Sequence, residues 1–297
     1  MIQEDASGQR VDLQAAKART QRTSPIKVGS IVIHLLLILG AILMAAPFLW
    51  MILTSLKTAT QAFSVPPTWI PNPVAWQNYP DSLQALPFGL AYFNSIYICF
   101  VVVASQLLTC SMAGYAFARI RFPLRGPLFI LFLATLMIPL QVTIIPLFLV
   151  MKQLSWIDTH LSIIVPYALL NAFGVFLMRQ FIKGIPIELE EAAIMDGANR
   201  WTLFWRVILP LLKAPLAALG IISFLSQWNN FFAPLIMLSN SNLYTVPLML
   251  NLFKGEYTTS WTLLMAGSAL AVLPILLVYI IAQRHIIQGI QLTGLKG

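Results

Sequence analysis

Six apolar runs, separated by short polar stretches, occupy the chain from residue 31 onward. They fall at 31–53, 92–116, 126–151, 161–182, 211–238 and 262–283. A helix rising ~1.5 Å per residue needs about 20 residues to cross a hydrocarbon core of about 30 Å. Each run therefore predicts one membrane-spanning helix, and the expected fold class is an all-α integral membrane protein with six transmembrane helices. Residues 1–30 read as a polar N-terminal tail, with a helix expected over 11–22 and no signal-peptide cleavage pattern. Residues 31–284 form the transmembrane domain, and 285–297 a C-terminal tail. Several of the runs carry internal prolines, among them Pro139 and Pro146, Pro166, Pro234, and Pro274. Such kinks are tolerated where neighbouring helices re-satisfy the freed backbone groups. Ala266, Gly267, Ala269 and Ala271 give the last run a small face for close packing.

The connecting segments sort by charge. Fifteen of the eighteen Lys and Arg residues fall in the tail, in the even-numbered loops and at the C-terminus, if the N-terminus is inside. The opposite side holds only Lys57, Lys152 and Lys254. Because basic residues are retained on the cytoplasmic side, both termini are expected there. The loop over 54–90 is rich in Pro and carries Trp69, Trp76 and Tyr79, which suit an interface belt or a docking surface.

One inner segment stands apart. Residues 186–210, PIELEEAAIMDGANRWTLFWRVILP, hold four of the ten acidic residues. Pro186 suits a first helical turn, and Glu188, Glu190 and Glu191 complement the positive end of the helix dipole. Asp196-Gly197 predicts a stop, since glycine takes the left-handed conformation past a helix end. Asn199 is a candidate N-cap for a second helix. Trp201, Phe204, Trp205 and Ile208, at i, i+3, i+4 and i+7, are expected on one face, with Arg200 and Arg206 off it and Pro210 ending the pattern. The three glutamates read as solvated docking groups on a bent helical hairpin.

This segment resembles the EAA loop of ABC-importer permeases, whose form is Glu-Ala-Ala, three residues, Gly, nine residues, an aliphatic, one residue, Leu-Pro. The matching positions are Glu191-Ala192-Ala193, Gly197, Val207 and Leu209-Pro210. Further strings look like the carbohydrate (maltose-type) branch: Asn94-Ser95, Ala113 to Arg119 before Arg121-Phe122-Pro123, Ile138-Pro139-Leu140, Ile145-Pro146-Leu147-Phe148 and Gln227-Trp228-Asn229. The resemblance covers roughly residues 30–297. It implies a type I importer permease fold in a bacterial cytoplasmic (inner) membrane. It also implies coupling to a separate ATPase through Glu188, Glu191, Ala192, Ala193, Asp196, Gly197, Ala198, Arg200, Leu209 and Pro210. The implied partners are a second similar permease, an ATPase pair that binds ATP and Mg, an extracytoplasmic sugar-binding protein and membrane lipid. Glycerol-phosphate permeases share much of this pattern and are the alternative within the family. The family tends to end in a Gly-rich tail closing on Lys-Gly and reaching toward the ATPase; Gly289, Lys296 and Gly297 fit, while Gln291, Leu292 and Thr293 depart.

Composition agrees with a chain dissolved in lipid: 59% of the 297 residues are hydrophobic and 9% charged, against about 25% charged in soluble domains. The net charge of +8 does not point to nucleic acid, because the basic residues sort by membrane side and do not gather on one element with interleaved aromatics. Cys99 and Cys110 are too far apart along one helix, about 16 Å, to bond, and no metal-ligand spacing occurs. No G-x-x-x-x-G-K-[ST] loop occurs, so the chain is not expected to hydrolyse ATP or to be an enzyme. His34, His160 and His285 sit at span ends without a nucleophile partner. Ionisable residues lie almost wholly outside the apolar runs, which disfavours an ion-coupled carrier or self-sufficient channel and suggests a solute met by amides, hydroxyls and aromatics. The candidates for such a pathway are Asn94, Gln141, Asn171, Trp228, Asn229 and Asn230. The alternative role for each is a hydrogen bond to a neighbouring helix or to the partner permease. The outer stretch 239–261, with Lys254-Gly255-Glu256-Tyr257, is expected to meet the binding protein.

Overall fold

The computed structural model describes residues 28–169, 171–255 and 259–294, without side chains at 28 and 284–294. The expected N-terminal tail lies outside the described residues up to position 27. In chain order the helices are α1 (Val28–Ser55), α2 (Ala59–Ala62), α3 (Asn78–Ala85), α4 (Phe88–Arg119), α5 (Arg125–Ala134), α6 (Leu140–Gln153), α7 (Leu161–Leu169) and α8 (Ala172–Lys183). They continue with α9 (Glu188–Met195), α10 (Arg200–Leu203), α11 (Leu209–Leu211), α12 (Lys213–Trp228), α13 (Phe232–Met237), α14 (Val246–Asn251) and α15 (Trp261–Gly294). The chain divides into two compact units, Met1–Trp50 and Met51–Gly297. The described part of the first is the apolar body of α1, in which His34 Nδ1 bonds the Ser30 carbonyl at 2.6 Å.

Four stretches are long and apolar enough to cross a membrane as they stand: Gly29–Ser55, Phe88–Arg119, Leu161–Lys183 and Trp261–Gln283. Six crossings result if two bent pairs each count as one. The third run is bent by 103° between Met137 and Leu140. Ile138 precedes proline and is driven out of the helical region, to ψ 113°, and Pro139 is extended at ψ 141°, as steric clash with the proline ring requires. The fifth run bends by 77° at Leu212 and its straight part, Lys213–Trp228, ends before Asn229. The expected run to residue 238 is thus broken, with α13 following as a separate short helix. At the other end α15 carries on to Gly294, so most of the expected C-terminal tail continues the last helix.

In the second unit α4 is the central post, and α7, α8, α12 and α14 pack against it. Its contact with α8 is close because a glycine on each helix lets the other approach. A Cβ on Gly114 would stand 2.6 Å from the Met178 Cβ, and one on Gly174 2.6 Å from the Cys110 Sγ. One buried cluster joins Tyr115, Phe129, Met178, Ile182, Leu203, Phe204, Ile208 and Leu219 beneath the α9–α10 segment. A second, at the opposite end, joins Phe88, Trp228, Val246, Met249 and Leu264. The stretch after residue 239 is therefore only partly an outer loop: Val246, Leu248 and Met249 of α14 are buried in the bundle, a correction to the sequence expectation. Its apolar residues compete better for the core than for water. Glu256 and Tyr257 lie outside the described residues.

Asp158 ties two connecting segments together. Its Oδ1 accepts the backbone N–H groups of Ser239 and Asn240 at 2.8 and 2.9 Å, and its own N–H donates to the Met237 carbonyl at 2.9 Å. The two backbone N–H donors hold its carboxyl below the usual carboxylate range. A carboxyl lowered in this way stabilises the fold above its unfolded pKa, and the contribution is lost as acid protonates it in the native state. Asp158→Asn, which keeps an acceptor and tolerates φ 56°, is expected to melt above Asp158→Ala, with the gap between wild type and Asn closing toward low pH. Gly114→Val is expected to cost about 1–3 kcal/mol by overpacking α4 against α8, read as a lowered melting temperature of the detergent-solubilised protein.

Candidate functional site

The segment between α8 and α12 is a helix–turn–helix held on one end of the bundle. α9 opens with Glu188, Glu190 and Glu191 in its first turn, two residues later than Pro186. Its end is closed by Gly197 at φ +83°. Ala198 N donates to the Ala193 carbonyl and Gly197 N to the Ile194 carbonyl, both at 2.9 Å. These are the paired bonds of a Schellman stop, for which a left-handed glycine is suited. Asn199 then caps α10, its Oδ1 accepting from Thr202 N at 2.8 Å. A single residue separates glycine stop from cap, so the hairpin turns sharply.

After α10 the chain winds one π turn, Phe204–Ile208, before α11. The wider turn changes the register and splits the expected aromatic face. Leu203, Phe204, Ile208 and Leu212 go into the core, while Trp201 and Trp205 stay exposed. Phe204 packs on Tyr115 of α4 with ring centroids 5.6 Å apart and edge-on to Trp205 at 5.3 Å. Pro210 does not end the helical pattern. It sits within α11, and the turn at Leu212 redirects the chain into α12.

The glutamates are not alike. Glu188 and Glu191 are exposed, but Glu190 is buried, with 6% of its side chain accessible, and is ion-paired with the Arg119 guanidinium. The reading of all three as solvated groups is therefore corrected: helical spacing turns Glu190 inward where α4 ends. Arg119 Nε donates to Glu190 Oε1, and Nη2 donates to the carbonyls of Ile182 (2.9 Å) and Ile185. One side chain thus joins α9, the last turn of α8 and the end of α4. The remaining motif positions divide into exposed Ala192, Asp196, Gly197, Arg200 and Pro210, and half-buried Ala193, Ala198 and Leu209. Beside them the tip exposes apolar groups that the motif does not name: Ile194, Met195 and Trp201. Met195, 85% exposed, is the most open of these. The outward face of the hairpin therefore joins carboxylates to an apolar ridge, a composition suited to protein docking.

The polar candidates within the spans separate into bonded and open groups. Asn94 is buried, its Nδ2 donating to the Asn242 and Tyr244 carbonyls at 2.8 and 3.1 Å. Asn171 caps α8 through Gly174 N at 2.8 Å and donates to Gln106 Oε1 at 2.6 Å. Trp228 is 2% exposed, stacks on Phe224 and donates its indole N–H to the Ala271 carbonyl at 3.2 Å, so its ring has no open face here. Gln141 is exposed on α6. Asn229 is exposed, its amide donating to the Leu225 carbonyl at 2.8 Å. Asn230 Nδ2 and the Tyr167 hydroxyl are buried and interact with each other, yet neither has a partner in full hydrogen-bond geometry. Tyr167 and Gln106 carried no sequence signal: a Tyr in an apolar run and a lone Gln look like packing residues.

Among the described residues no group of His, Cys, Asp and Glu could hold a metal, and Cys99 and Cys110 are free and buried. A broken-helix membrane bundle with a helical hairpin at one end has the build of a permease subunit. The chain belongs to the family of binding-protein-dependent transport system inner membrane components, whose model matches residues 107–292. It is 34% identical to the lactose transport system permease protein LacG of Rhizobium radiobacter over 263 residues, 89% of this chain and 95% of the relative. It is equally identical, over 265 residues, to the sn-glycerol-3-phosphate transport system permease protein UgpE of Yersinia enterocolitica, covering 86% and 94%. A solved bacterial ABC transporter involved in the import of the acidic polysaccharide alginate contains a chain of the same fold, with TM-score 0.78, 24% identity and coverage of 87% and 96%. The protein is thus a multi-pass, non-catalytic permease component of an ABC transporter, and its family has no cofactor of its own.

The Arg119–Glu190 pair is open to a direct test. Removing either partner leaves a desolvated charge, which costs about 3 kcal/mol or more in buried pairs. Arg119→Met and Glu190→Leu are each expected to lower the melting temperature more than the double variant does. A double variant as unstable as the sum of the singles would show that the two groups do not act on each other.

Proposed function

We propose that this chain forms half of the translocation pathway of a sugar importer and is driven through residues 186–210 by a separate ATPase pair. The observation that carries the reading is the hairpin itself, with Glu191-Ala192-Ala193 and Gly197 outward and Glu190 locked inward to Arg119. A load on the exposed side of α9 passes through that pair into α4 and α8 without a flexible joint. Fifteen of the eighteen basic residues fall on the hairpin's side of the membrane when both termini are inside, which supports a cytoplasmic hairpin. A second, similar permease would complete the pathway, and an extracytoplasmic binding protein would deliver the solute to the other face.

Several relatives bear sugar names, lactose and arabinooligosaccharides among them. Gln141 and Asn229 are exposed amides, and the buried Tyr167 hydroxyl and Asn230 amide lack full hydrogen bonds. These match a neutral polyol, whereas a phosphate-bearing solute calls for a cation in its path. That chemistry favours a sugar over the glycerol-phosphate alternative suggested by UgpE.

To move a two-state equilibrium from 1:99 to 99:1 takes about 5.5 kcal/mol of differential binding, so the docked hairpin must deliver a bias of that order. Gly197→Asp puts a second carboxylate beside Asp196 at the negative end of the α9 dipole, and Glu191→Lys reverses an outward charge. Both variants are expected to insert normally and to lose ATP-driven sugar uptake by on the order of tenfold or more in vesicles holding the complete transporter. Normal uptake by both variants would defeat the coupling assignment, and uphill transport by the chain without an ATPase would defeat the whole reading.

A further inference from the structure

Three cations gather where α5 begins and α8 ends. Arg179 and Lys183 are one turn apart on α8, and Arg125 opens α5, which packs against α8. Each acts electrostatically on another: Arg125 on Arg179, and both arginines on Lys183. Arg179 is held in place, its guanidinium 3.9 Å from the centroid of the Phe129 ring and its Nε donating to the Phe117 carbonyl at 3.3 Å. Arg125 is steadied by a bond from Nη1 to the Ile120 carbonyl at 3.2 Å. Among the described residues none of the three forms an ion pair with a carboxylate. Like charges held this close repel one another, and an anion between them would relieve the repulsion.

The helix that Arg125 opens is apolar and open on another face. Leu124, Leu128 and Leu131 lie at i, i+4 and i+7 and are 69%, 43% and 67% exposed. A free phosphate would use the cations and ignore the leucines, and an acidic protein surface would bury few of them. An anionic phospholipid uses both. We propose that Arg125, Arg179 and Lys183 bind the headgroup phosphate of an anionic phospholipid, with its acyl chains lying along the leucine strip of α5. Sorting of basic residues by membrane side explains why they are on this face, but not why three of them converge, without an ion pair, at the start of a helix with a greasy strip. The site holds whichever solute is carried.

The test is native mass spectrometry of the full-length chain, purified and offered equimolar phosphatidylglycerol and phosphatidylcholine. Wild type is expected to retain phosphatidylglycerol over phosphatidylcholine by on the order of tenfold, given about 1 kcal/mol per basic group at an anionic surface. Arg125→Gln with Lys183→Gln, which spares the packed Arg179, is expected to bring the ratio close to parity. The conservative pair Arg125→Lys with Lys183→Arg keeps the preference, as does Lys152→Gln elsewhere on the chain. Equal retention by wild type, or a preference that survives the glutamine pair, overturns the proposal. So does a glutamine pair that keeps its lipid preference but loses the co-purifying ATPase, which would assign the trio to a protein surface.

Discussion

A chain that breaks its helices inside a membrane must give the freed backbone groups new partners, because lipid offers none. One helix supplies most of them here. Along α4, Asn94 donates to the carbonyls of Asn242 and Tyr244, and Ser95 accepts the Val246 N–H. Halfway down, Gln106 donates to the Tyr167 carbonyl while its oxygen accepts from Asn171 and Ser223. These bonds stitch the point where α7 gives way to α8. At the far end, Arg119 takes the Ile182 and Ile185 carbonyls. Asn94, Ser95, Gln106 and Arg119 thus register three other parts of the chain on one post.

That arrangement ties α4 and α8 closely to each other. The α4–α8 contact is tight, its backbones brought together by Gly114 and Gly174, and polar bonds close it at both levels. The Glu190–Arg119 pair ties α9 to α4 and to the end of α8 at once. Placement of a buried charge pair at this junction favours one seating of the hairpin, since any other would strand a charge.

Local chemistry decided much of the hairpin, and these features were legible in the sequence. The Gly197 stop and the Asn199 cap depend on the conformations open to single residues and on bonds within a few positions. The six apolar runs were legible for the same reason: lipid demands them regardless of neighbours. Glu190 was misread because its environment is set by Arg119, 71 positions earlier. The aromatic face of Trp201, Phe204, Trp205 and Ile208 was misread because a π turn alters the 3.6-residue period on which the expectation rested. Trp228 looked like a solute platform beside two asparagines, but its N–H is taken by Ala271 from the last helix.

By itself, the sequence determined that this is a helical membrane protein, where its charged hairpin turns, and that its family's Glu-Ala-Ala, Gly and Leu-Pro pattern is present. Each of these depends on composition or on contacts within a turn or two, so no knowledge of distant partners is needed. Only the tertiary structure decided which glutamate points inward, which amides are already bonded, where two spans bend, and that three cations converge where α5 begins. Those outcomes depend on which residues from separate helices meet. The energy of a buried charge or an unbonded amide is set by its neighbours, not by its own identity.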